Sequence, residues 1–107
     1  MAQLPLTEGT MTPLSAQQLA DFLAQHPGWS VVDGKLTRRF QLPGFPAAIA
    51  FVQRVADIAE AHVHHPDIDI RYRDVTLAVN THDAAGALTQ KDTRLATACD
   101  AAAASLA

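Results

Sequence analysis

The sequence predicts an α+β fold, a two-layer sandwich in which one four-stranded antiparallel sheet carries three helices on one face, in the order α-β-β-α-β-β-α. Three observations predict it. Two regions alternate apolar and polar residues in paired runs joined by short turns, as hairpins do. A long stretch between them repeats its apolar residues at three- and four-residue steps, as a helix does. With 107 residues, 49% of them hydrophobic, the chain can bury one modest core and has no room for a second.

Met1 to Met11 contains Pro5 and Gly9 without sustained periodicity, so residues 1–11 read as a flexible N-terminal tail and residues 12–107 as the single domain. Ser15, followed three residues later by Gln18, has the spacing of a capping box. Leu19, Phe22 and Leu23 then fall on one face of a short helix that His26-Pro27-Gly28 ends. Trp29 to Val32 is rich in strand formers, Asp33-Gly34 is a strong two-residue turn signal, and Lys35 to Leu42 places Leu36 and Phe40 on one side. After Pro43-Gly44, the residues Phe45, Ile49, Val52, Ala56, Ala59 and Val63 mark the apolar stripe of a helix of about five turns. Pro66 stops it, because the residue before a proline avoids helical dihedrals.

Asp67 to Arg73 then alternates, with Ile68, Ile70 and Tyr72 on the face expected to be half-buried and Asp67, Asp69, Arg71 and Arg73 on the wet one. Val75, Leu77 and Val79 repeat the pattern, so a second hairpin is expected, turning at Arg73-Asp74. The chain ends in an Ala-rich helix. Thr89 and Asp92 have capping-box spacing, and Leu95, Ala98, Ala102 and Leu106 form its stripe.

A net charge of -3 with scattered basic residues leaves no electrostatic footprint for nucleic acid or an anionic membrane, so neither is an expected partner. No segment approaches the roughly 20 apolar residues that a membrane span needs, and the start lacks the basic and apolar runs of a leader. Cys99 is the single cysteine and cannot form an internal disulfide, which fits a reducing, cytoplasmic setting.

The chemistry-bearing residues collect between Glu60 and Asp92. His62, His64 and His65 cluster at the end of the long helix, and His82 lies just past the last strand. In the expected topology both places fall at strand ends, where the imidazoles can meet. Histidine exchanges a proton near neutrality, which points to acid/base chemistry.

The spacing is also specific. Glu60, three residues, His64-His65-Pro66, five residues, Tyr72, nine residues, His82, then Asp92 resembles the signature of the pterin-4a-carbinolamine dehydratases. Gly28-Trp29, Gly34-Lys35-Leu36, Phe40 and the run from Phe51 to Ala56 are similar to that family too, and the resemblance extends from about Thr12 to Leu106. It implies a four-stranded antiparallel sheet with three helices on one side, in agreement with the order read from the residues. It also implies dehydration of a 4a-hydroxytetrahydropterin to a quinonoid dihydropterin, a recycling step after aromatic amino acid hydroxylation, with no metal and no cofactor. His64 and His82 would be the acid/base groups, and His65 would chiefly hold the pterin. Glu60 would orient an imidazole or accept from the pterin. Asn80, Thr81, Asp83 and Asp92 would contribute to binding beside the three histidines. Assembly as a homodimer or homotetramer is implied as well.

Two positions depart from typical members. Val63 stands before the histidine pair where some members carry an aspartate, and the run from Asp83 to Lys91 is one residue longer, which predicts a shifted loop over the site.

Blander readings stand beside these. Glu60 also reads as a solvated helical acid, Asp92 as only the third residue of a helix cap, and Asp67 and Asp69 as the wet face of a sheet. His26 and His62 read as solvated, and Trp29 and Tyr72 as packing residues. A metal site built from His62, His64, His65 and Glu60 is disfavoured, because His62 and His64 would point about 200° apart on a helix. The third alternative is a non-enzymatic adaptor, since relatives also act as a dimerisation cofactor for a transcription factor. For that role Ala98 and Ala101 to Ala104 would offer a small-residue surface.

Overall fold

A computed structural model describes residues 12–107; the expected tail, residues 1–11, lies outside the described residues. The elements follow in the predicted order: α1 (Ala16–Gln25), β1 (Ser30–Val32), β2 (Lys35–Gln41), α2 (Phe45–His62), β3 (Asp67–Arg71), β4 (Asp74–Val79) and α3 (Gln90–Leu106). α1 starts at the expected capping box: Gln18 N–H donates to Ser15 Oγ at 3.0 Å, and Ser15 N–H donates to Gln18 Oε1 at 2.8 Å. Asp33 and Gly34 have φ of 51° and 79°, the pair of positive values that a type I′ hairpin requires.

The sheet order is β1-β2-β4-β3, antiparallel throughout. Leu36 lies opposite Val79, Arg38 opposite Leu77 and Phe40 opposite Val75, so these six share one face. Side chains alternate across a strand, and this face carries the helices and the core. Phe40 packs on Phe51 of α2 with ring centroids 4.7 Å apart, and Trp29 meets Phe40 edge-on at 5.9 Å. Leu95, Ala96 and Cys99 of α3 complete the buried cluster. Arg38 is the charged member of the inner row. Its guanidinium lies 4.4 Å from the Phe40 ring centre and donates to Asp100 at 2.8 Å; the Trp29 indole N–H donates to the same carboxylate at 2.9 Å.

Four expectations change. The buried stripe of α2 is Ala48, Phe51, Val55 and Ala59; of the stripe read from Phe45, Ala59 is buried and Val52 packs against the core, while Phe45 and Val63 are 49% and 74% exposed. α2 is apolar on more than one side, and the sheet takes the side that carries Phe51. β3 is an edge strand whose five residues are all exposed. Ile68 and Ile70 do lie opposite Leu77 and Val75, on the helix-bearing face, but the helices do not cover the edge and both are 39% exposed. The second turn is Tyr72-Arg73, since Arg71 pairs with Asp74; Tyr72 sits in it with φ of 55° and is exposed rather than packed. His26 stacks on Phe22 at 4.1 Å and its Nδ1 lies 3.0 Å from the Phe22 carbonyl, so it is packed rather than solvated.

On α3, Leu95 is buried as expected, while Asp92, Ala96 and Cys99 take the rest of the buried face. Ala102 and Ala103 pack against the core and are not a free surface. Among the described residues, no helix is long and apolar enough to cross a membrane.

Candidate active site

The site begins where α2 ends. Val63 adopts the left-handed conformation (φ 49°, ψ 47°), its N–H donates to Glu60 O at 3.3 Å, and the His64 N–H donates to Ala59 O at 3.0 Å. This is the Schellman arrangement, which normally places glycine at the left-handed position. A β-branched residue there is strained. The helix therefore stops at His62, ahead of Pro66, and the reversal sends His64 inward and His65 outward. Their side chains are 8% and 61% exposed.

His64 Nε2 lies 2.6 Å from Oδ1 of Asp92, which is fully buried. Asp92 is also the third residue of α3, and its Oδ2 accepts the Thr89 backbone N–H at 2.8 Å, closing the predicted capping box. The same Oδ2 accepts from the Thr81 hydroxyl at 2.8 Å, and the Thr81 and Thr89 hydroxyls are 2.7 Å apart. One carboxylate thus caps a helix with one oxygen and holds an imidazole with the other. A helix N-terminus favours a negative group, so the carboxylate is well placed.

A pocket of about 280 Å³ opens beside this cluster, bounded by Val63, His64, His65, Asn80, Thr81, His82, Asp83 and Lys91. It lies near the lower end of small-ligand sites, about 300–1,000 Å³, and suits a compact heterocycle. Thr81, His82 and Asp83 come from the turn after β4. Thr81 N–H donates to Ala87 O, and Thr81 O accepts from Ala84 and Gly86 N–H, each at 3.0 Å. Left-handed Ala85 and Gly86 (φ 57° and 83°) allow this closure, so the longer run folds back on Thr81. The His82 ring makes no hydrogen bond among the described residues and is exposed at the pocket.

The structure therefore gathers His64, His65, Asn80, Thr81, His82 and Asp83 around one space. Asp92 stands behind it and reaches it only through His64. Thr81 borders the pocket but is 1% exposed, with its hydroxyl turned to Asp92 and Thr89. Glu60 lies outside the lining and accepts from His65, Nε2 to Oε2 at 2.6 Å, on the surface. Lys91 was not singled out from the sequence. Its position within the α3 capping box, next to Asp92, is the signal that would have found it. Among the described residues, no group of three or more His, Cys, Asp or Glu side chains is placed to hold a metal ion, and His62 is exposed at the end of α2. The pocket offers three imidazoles of unlike setting, one anchored to a buried acid, one held by Glu60 on the surface and one without a hydrogen bond among the described residues, with amide, carboxylate and ammonium groups around them. Such a set can donate and accept protons at a bound heterocycle.

The family model described as pterin 4 alpha carbinolamine dehydratase matches residues 12–102. A Chloroflexus aurantiacus protein named, by inference, as pterin-4-alpha-carbinolamine dehydratase is 57% identical over 90 residues, covering 84% of this chain and 96% of its own length. A Streptomyces coelicolor protein of the same name is 48% identical over 84 residues, covering 78% and 83%. A Brucella melitensis crystal structure described as a transcriptional coactivator/pterin dehydratase superposes with a TM-score of 0.79 at 30% identity, covering 86% of this chain and 99% of that one.

Proposed function

Because this chain belongs to the pterin 4 alpha carbinolamine dehydratase family, we propose that it removes water from a 4a-hydroxytetrahydropterin at the histidine pocket, without metal or cofactor. The observation that carries the reading is the buried Asp92–His64 pair facing the same pocket as the unpaired His82. In the step, the bond from carbon 4a to its hydroxyl oxygen breaks, a proton joins the departing oxygen to give water, and a ring nitrogen loses a proton to give the quinonoid dihydropterin. Two acid/base groups balance it. His64 is the base, because Asp92 stabilises the imidazolium that forms when His64 takes the ring proton. His82, open to the pocket, is the acid. His65, held by Glu60 at the rim, orients the pterin, and Asn80, Asp83 and Lys91 supply polar contacts to it.

Stopped-flow absorbance of 4a-hydroxytetrahydropterin decay tests this directly. The protein should accelerate the decay catalytically; decay at the spontaneous rate would sink the proposal.

Self-association belongs to the same proposal. Among the described residues β3 leaves its edge of the sheet unpaired, with Ile68 and Ile70 each 39% exposed, and an open strand edge favours pairing with a second copy. Sedimentation at micromolar concentration should give a dimer or tetramer; a strict monomer would contradict it. The coactivator description of the Brucella neighbour favours an adaptor role as the second reading. A pure adaptor would keep its partner binding, and show no turnover to lose, when His64, His65 and His82 are all replaced by alanine.

A further inference from the structure

Thr81 is almost fully buried, and its hydroxyl has a single proton to give. That proton is directed to Asp92 Oδ2 at 2.8 Å, so in the 2.7 Å contact between hydroxyls Thr89 is the donor. Thr89 Oγ1 in turn accepts the Lys91 N–H at 3.2 Å. Oδ2 also receives the Thr89 backbone N–H at 2.8 Å. Two donors converge on one carboxylate oxygen, and the other oxygen is left to His64.

The 2.6 Å contact between His64 Nε2 and Asp92 Oδ1 can hold its proton in two ways. The proton can sit on nitrogen, facing a carboxylate, or on oxygen, so that a carboxylic acid donates to a bare nitrogen. Every donor on Oδ2 stabilises the ionised carboxylate and so favours the proton on nitrogen. With Nε2 protonated, neutral His64 keeps its lone pair on Nδ1, the ring nitrogen that makes no hydrogen bond among the described residues, and His64 lines the pocket.

We propose that Thr81 is a positioning residue whose hydroxyl, oriented by Thr89, holds Asp92 as a pure acceptor and thereby fixes His64 as the Nε2–H tautomer with Nδ1 as the reacting atom. The assignment rests on the dehydratase reading of the pocket. It gives Thr81 a task other than touching the pterin. The neighbouring backbone needs no such hydroxyl: the turn after β4 is closed by the main chain of Thr81. Replacing Thr81 by the isosteric valine removes the donor and leaves those main-chain bonds in place.

The test combines turnover with ¹⁵N NMR of the histidine rings. In the wild-type protein at neutral pH, His64 should carry its proton on Nε2. Thr81→Val should move the proton population toward Nδ1 and lower kcat by about 10- to 100-fold, the usual loss for a group that orients a reacting one, with KM within about 2-fold. Thr81→Ser should restore both. Wild-type turnover and unchanged ring signals in Thr81→Val would overturn the proposal. So would a wild-type His64 protonated on Nδ1 with Nε2 bare, a result that needs no variant to fold. If the wild-type protein fails to turn over the carbinolamine while Thr81→Val still shifts the His64 proton, the dehydratase reading falls and the role of Thr81 stands.

Discussion

Two aspartates on α3 each reach across to another element, and the contrast between them separates chemistry from architecture. Asp92, in the first turn, holds His64 beside a pocket. Asp100, about two turns on, holds Arg38 of the sheet and the indole of Trp29. Both are shielded acids with two kinds of donor. They differ in the partner: a guanidinium keeps its charge at any working pH, whereas an imidazole can take up and release a proton. The same carboxylate chemistry therefore pins the sheet to the helix in one place and holds an imidazole at a pocket in the other.

The widest separation between the two should appear in rates. His64→Ala or His82→Ala should lower kcat by roughly 10²- to 10⁴-fold in the stopped-flow assay, the range for losing a general acid or base, whereas Asp100→Ala should leave kcat near that of the wild type. Equal losses at both clusters would erase the distinction.

Cys99 adds a second contrast, since it sits beside Asp100 in the core. Burial, and then the charge of Asp100, push its thiol from 9.0 up to about 12. Three units correspond to about 10³-fold less thiolate at mild alkaline pH. An aromatic disulfide reagent at pH 8 should label the native protein extremely slowly and the urea-unfolded protein at once. The sign for stability follows: the thiol form is favoured in the folded state, so this contribution is complete below about pH 9 and is lost as pH rises toward 12. Denaturation midpoints that rise over that interval would contradict it.

On the architectural side, Asp100→Ala leaves the inward-facing Arg38 without its acid and the Trp29 N–H without its acceptor. A cost of about 2 kcal/mol is expected, read as a lower urea midpoint. The smallest effect should come from Val63→Gly. Relief of the left-handed strain, set against the greater freedom of glycine in the unfolded chain, should stabilise by about 0.5–1 kcal/mol. A destabilised Val63→Gly would mean that the side chain contributes more at the pocket edge than its backbone costs.

The element order was legible because the chain changes its apolar period from 3.6 to 2 and back at clear punctuation, such as Asp33-Gly34 and the two capping boxes. The facing of α2 was less so: with alanines around most of the helix, two stripes compete, and only contact with Phe40 selects the one containing Phe51. The exposure of β3 depends on where the helices end across the sheet, which strand alternation does not encode. At the site, the meeting of His64, His65 and His82 was expected from their places at strand ends, and they do line one pocket; their roles rested on the family resemblance. The link from Thr81 through Asp92 to His64 was not, because it joins residues 28 positions apart at most that share no periodicity. Asp92 could be read as a helix cap or as a site acid, and it is both a cap and the anchor of an imidazole.

The left-handed turn at Val63 means that a doubled letter in the sequence encodes two different reagents. Of two consecutive imidazoles, one is sealed against a buried acid and the other is bathed in water, so acylating agents that seek exposed rings should discriminate sharply between neighbours.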